Sequence, residues 1–76
     1  MPRKVRDLEA DLRAAGFVYD PDRGKGSHGW WTHPTGVKVN LAGKSGTDAK
    51  PYQEKEVREA IAEARRREAE RKEQQP

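Results

Sequence analysis

The sequence predicts an α+β domain in which two helices cover one face of a three-stranded antiparallel sheet. Three observations lead there. Val5, Leu8, Leu12 and Ala15 recur at helical spacing with charges between them. From Phe17 to Leu41, short aromatic and β-branched runs alternate with glycine- and proline-rich turns. Val57, Ile61 and Ala64 then restore the helical period. One helix, three strands and a second helix pack best as a layer of helices on a layer of sheet.

Each element has a local reason. The first helix is expected over residues 4–15, ended by Gly16, whose missing side chain suits a helix stop. Phe17-Val18-Tyr19 has strand character. Residues 20–27 read as a loop, and residues 28–33 as the second strand. Pro34-Thr35-Gly36 is turn material, and Val37-Lys38-Val39-Asn40-Leu41 alternates as a half-buried strand does. A loop over residues 42–50 leads to Pro51, placed where a helix start tolerates a missing N–H. After Ala64 there are strong helix formers but no apolar stripe. We therefore expect one domain over residues 1–64, with residues 65–76 as a charged helical extension that frays. The order matches the layout of a double-stranded-RNA-binding domain, with one sheet face left open.

A chain of 76 residues holds one thin core, so its stability should be marginal and a deep, closed substrate cavity is not expected. The net charge is +3. Position says more than the total. Arg23, Lys25, Lys38, Lys44 and Lys50 crowd a central segment whose only acid between Arg23 and Lys50 is Asp48. The absence of cysteine excludes disulfides, thiolate chemistry and cysteine-held zinc. With no apolar run of membrane-spanning or signal-peptide length, the expectation is a cytoplasmic protein without membrane contact.

Several short motifs resemble the HicA family of toxin ribonucleases. They are Leu12-Arg13-Ala14-Ala15-Gly16-Phe17, Gly26-Ser27-His28, His33-Pro34-Thr35-Gly36, Val37-Lys38-Val39 and Lys50-Pro51, in that order. The resemblance spans about residues 5–61. It implies a double-stranded-RNA-binding-like fold, cleavage of messenger RNA, and inhibition by a HicB-like antitoxin. It also implies that His28, the histidine of Gly-Ser-His, is the residue needed for activity. This chain departs from the pattern in carrying Gly29 where many members have a larger residue. It also carries Lys44 near a position where members often have a histidine.

RNA can be cut without a metal by its own 2′-hydroxyl, given a group to take that proton, one to protonate the leaving oxygen, and cations for the phosphorane charge. Histidine suits the proton transfers near neutral pH. The expected assignment is His28 for proton transfer. Arg23, Lys25 and Lys38 would hold the phosphate, and Gly24, Gly26 and Ser27 would let backbone N–H groups approach it. Lys44 and Lys50 extend the RNA-binding surface. No cofactor and no metal are expected. His33 lies five residues from His28, on the opposite face of a regular strand, and reads as a structural hairpin residue. Of Trp30 and Trp31, one should be core and the other either edge packing or a stacking platform. Gly24-Lys25-Gly26-Ser27 lacks the spacing of a nucleotide-binding P-loop. Two alternatives remain at this level: a non-catalytic RNA-binding module of the same shape, and a small protein whose basicity serves an acidic protein partner.

Overall fold

The computed structural model of the chain describes residues 3–20 and 29–74. The elements are α1 (Val5–Ala14), β1 (Val18–Tyr19), β2 (Trp30–Thr32), β3 (Lys38–Asn40) and α2 (Pro51–Gln74), in the expected α-β-β-β-α order. The strands form one antiparallel sheet in the order β1-β2-β3. Trp31 stands between Tyr19 and Val39, and Thr32 between Val18 and Lys38. Ladder bonding continues past the ends of β2, with Leu41 N–H donating to Gly29 O (2.8 Å) and His33 N–H to Val37 O (2.9 Å).

Side chains alternate across a strand, so this register sorts the two faces. Trp31, Val39, Val37 and Leu41 turn inward to meet Val5, Leu8 and Leu12 of α1 and Val57, Ala60 and Ala64 of α2. Val18, Trp30, Thr32, Lys38 and Asn40 share the opposite face. Trp31 is the buried tryptophan and Trp30 the half-buried one. Burying a side chain the size of Leu8 or Leu12 contributes about 1.5–3 kcal/mol each. The core is thinner than a count of large apolar residues suggests, because Val18, Tyr19 and Tyr52 are exposed. Alanines fill the difference: Ala49, Ala60 and Ala64 are buried.

The loop between β3 and α2 caps α1. The first turn of a helix has N–H groups with no partner inside the helix. Here Val5 N–H donates to Thr47 O (2.9 Å) and Arg6 N–H to Ser45 O (3.0 Å), while Lys4 N–H donates to Asp7 Oδ2 (2.8 Å). Lys4 Nζ pairs with Asp48 at 2.5 Å, so the one acid of the central basic segment is occupied by a base from outside it.

α2 begins with a buried polar lock. Gln53 Oε1 accepts from Lys50 N–H (2.8 Å) and its Nε2 donates to Ala42 O (2.7 Å). This ties the helix start to the end of the third strand. Gln53, Val57, Ala60 and Ala64 form one stripe at helical spacing. Beyond Ala64 the helix runs on to Gln74, held to the hairpin by Arg67 Nη1 donating to Thr35 O (3.1 Å). Among the described residues no helix is long and apolar enough to cross a membrane.

Candidate functional site

His28, Ser27, Gly26, Lys25 and Arg23 lie outside the described residues. The frame on either side of them is described. Asp20 N–H donates to Trp30 O (2.8 Å), and Gly29 O accepts from Leu41 N–H. The segment 21–28 therefore joins two residues that are each fastened to the sheet. Gly29 has φ +59°, and a Cβ built on it would stand 2.1 Å from Leu41 O. No other residue fits that backbone without displacing the strand. The glycine at this departure from the family pattern is thus required by the local packing.

The three described lysines of the expected RNA surface occupy different settings. Lys38 is exposed on the uncovered sheet face at the hairpin end, level with Thr32. Gly29 is level with Leu41, three residues away, or about 10 Å along the strand. The structure thus puts Lys38 and the chain entry beside His28 at opposite ends of the ladder. Lys44 is exposed between Gly43 and Ser45, which line the same cleft as Gly29. Lys50 is exposed at the start of α2, where its carbonyl accepts from Gln53 N–H and Glu54 N–H.

That cleft, of about 310 Å³, is bounded by Glu9 and Arg13 of α1, Tyr19, Gly29 and Trp31 of the sheet, and Ser45. The Arg13 guanidinium lies over the Trp31 ring, 5.1 Å from its centroid. Tyr19 meets Trp31 edge-on at 5.5 Å. Ser45 Oγ donates to Glu9 Oε1 (3.2 Å). The Trp31 indole N–H is buried and has no acceptor among the described residues. Sequence reasoning did not single out Arg13, Tyr19 or Glu9. Arg13 read as one more charge on a wet helix face, and nothing in the spacing links residue 13 to residue 31. A larger cleft of about 430 Å³ runs between α1 and α2 and has no sheet residue in its walls.

His33 is buried, on the core side, in a set of contacts that hold the fold together. Thr35 N–H donates to its Nδ1 (3.1 Å), and Thr35 Oγ1 lies 2.8 Å from the same atom. With Nδ1 accepting, the neutral ring carries its proton on Nε2. Nε2 then donates to Ala15 O (3.1 Å), and Glu68 Oε1 stands 3.2 Å away. The ring packs on Phe17 with centroids 5.0 Å apart. Gly16, at φ +99°, leaves the space; a Cβ there would come within 3.1 Å of Nε2. One imidazole thus joins the end of α1, the β2–β3 turn and α2. This is the structural role expected for it.

Among the described residues no group of three or more histidine, aspartate or glutamate side chains converges to hold a metal. No curated protein and no solved structure matches the chain. The family model of the HicA toxin of bacterial toxin–antitoxin pairs matches residues 5–64, most of the chain. The match begins at the first core residue of α1 and ends at Ala64, the last core residue of α2. It spans the Gly26-Ser27-His28 segment, the hairpin and the Lys50-Pro51 step. The chain therefore belongs to the HicA toxin family, as the toxin of a toxin–antitoxin pair with a cognate antitoxin for a partner.

Proposed function

We propose that this toxin is an endoribonuclease that cuts messenger RNA in the cytoplasm without a metal, with His28 as the general acid–base. In the reaction, the 2′-oxygen of the substrate attacks the adjacent phosphorus. A 2′,3′-cyclic phosphate forms, and the bond to the 5′-oxygen of the next nucleotide breaks. His28 takes the 2′-hydroxyl proton, and a water molecule protonates the departing 5′-oxygen, the hydroxide it leaves recovering the proton from His28. Arg23, Lys25 and the backbone N–H groups of Gly26 and Ser27 hold the phosphate, and Lys44 continues the cationic surface. Lys38 and Lys50 contact RNA further along.

The observation that carries this reading is the family match across the Gly26-Ser27-His28 segment. Support comes from the fixed position of Gly29, the next residue of the chain, in the sheet. The other histidine is already committed to the fold through Ala15, Thr35 and Glu68.

The partner in this reading is a HicB-like antitoxin that covers the open sheet face. Val18, 63% exposed, and the half-buried Trp30 leave apolar surface there that neither helix covers. Binding to the folded form would also stabilise a domain this small by mass action.

The test is cleavage of a defined RNA in EDTA by the parent and His28→Ala. Loss of a general acid–base should slow cleavage by roughly a hundred- to ten-thousand-fold. An unchanged rate in a folded His28→Ala protein defeats the assignment. Salt-sensitive RNA binding by the parent with no cleavage would identify a non-catalytic RNA-binding module instead.

A further inference from the structure

We propose that the cleft between α1 and the Gly29 end of the sheet is a subsite for one unpaired ribonucleotide, whose base stacks on the outer face of the Arg13 guanidinium. The choice of RNA as ligand rests on the ribonuclease reading. The subsite itself rests on the geometry of residues to which that reading gives no part.

Size sets the first limit. A volume of about 310 Å³ is at the lower end of the range for small-molecule sites, enough for one nucleotide and too small for a duplex. Arg13 sets the second. Its guanidinium lies on the buried Trp31 ring, and no carboxylate among the described residues pairs with it. Glu9, one helical turn away, instead accepts from Ser45 Oγ. Arg13 is exposed, so the side of its guanidinium away from the indole is open, and unpaired RNA bases stack on guanidinium planes. Tyr19, 43% exposed and edge-on to Trp31, adds an aromatic wall.

Two polar groups orient the ligand. The Trp31 indole N–H, in a residue that lines the cleft, is a buried donor without an acceptor among the described residues. A carbonyl or phosphate oxygen of a bound nucleotide would satisfy it after a small local adjustment. Glu9 repels phosphate and accepts N–H groups, so the base edge belongs at its end of the cleft and the phosphate at the other. Gly29 forms part of the wall, and His28 is the next residue back along the chain.

The experiment uses the full-length ¹⁵N-labelled His28→Ala protein, which binds RNA without consuming it, titrated with a short single-stranded oligoribonucleotide. The Trp31 indole N–H and Arg13 Nε–H resonances should shift on binding. Arg13→Lys keeps the charge but removes the flat stacking surface, and should weaken binding about tenfold. Stationary Trp31 and Arg13 signals at saturating RNA, or no binding at all, overturn the subsite. So does unchanged affinity in Arg13→Lys. If Arg13→Lys fails to fold by circular dichroism, the parent resonances decide. Cleavage by the wild-type chain is measured in parallel. Nucleotide binding in the cleft without cleavage leaves the subsite standing and removes the ribonuclease reading. His28-dependent cleavage with a silent cleft does the reverse.

Discussion

Replacing His33 with alanine should unfold much of the population without touching the chemistry. The ring makes hydrogen bonds through both nitrogens, to Thr35 and to Ala15 O, and packs on Phe17. Each neutral hydrogen bond contributes about 0.5–1.5 kcal/mol net. Removing a buried ring leaves a cavity that raises the cost, for a total of roughly 3 kcal/mol. For a domain of this length each 1 kcal/mol moves Tm by about 4–8 °C, so the expected drop is about 12–24 °C. A core this small supplies only about 3–5 kcal/mol in all, so His33→Ala should sit near its midpoint at 37 °C. His33→Asn, which can keep a polar contact to Thr35 but cannot also reach Ala15, should lose about half as much. Thermal melts by circular dichroism give both numbers. A His33→Ala protein melting within about 4 °C of the parent would refute the bonding account. A His33→Ala protein that stays folded at 25 °C yet no longer cuts RNA would move the chemistry from His28 to His33.

Two further predictions concern the frame. Gly29→Ala must place a Cβ against Leu41 O in a left-handed conformation, and should cost about 2–4 kcal/mol as the ladder bond to Leu41 is displaced; a melt indistinguishable from the parent would contradict the geometry. Hydrogen bonds from Arg66 and Arg67 hold the Glu63 carboxyl below its ordinary value. A carboxyl depressed on folding contributes stability above its unfolded pKa and loses it as pH falls through the folded one. Parent Tm should therefore exceed that of Glu63→Gln slightly at pH 7 and match it well below the ordinary carboxylate range. A gap that persists in acid would mean that the side chain acts through packing.

The fold was legible where period and punctuation agree. Val5, Leu8 and Leu12 mark the buried side of α1 by spacing alone, and Gly16 stops the helix with a positive φ that other residues resist. Alternation separated Trp30 from Trp31 but could not say which is inside. The register decided it, by setting Trp31 beside Val39. Composition misled where exposure depends on position in the sheet. Val18 and Tyr19 look like core, but they sit on a two-residue edge strand with no further strand beyond it among the described residues. Gln53 was invisible because a buried glutamine is identified by its two partners, Lys50 N–H and Ala42 O, and not by its own type. The candidate site was legible as a motif and not as a place. Gly26-Ser27-His28 stands out in the chain, whereas the contact of the Arg13 guanidinium with the Trp31 ring joins an α1 residue to a β2 residue with no local pattern to announce it. Lys38 stands at the hairpin end of the ladder, level with Thr32, a placement that its charge alone does not announce.

The brevity of the outer strands decides how another protein can engage the sheet. Among the described residues β1 has two residues and β3 three, so each border offers a visiting strand only a short run of backbone groups. Extending the ladder sideways would gain few hydrogen bonds. An inhibitor seated on the open face as proposed above, across Val18, Trp30 and Lys38, would therefore recognise side chains more than backbone. Escape from inhibition would then arise by changing those side chains, with the backbone left as it is.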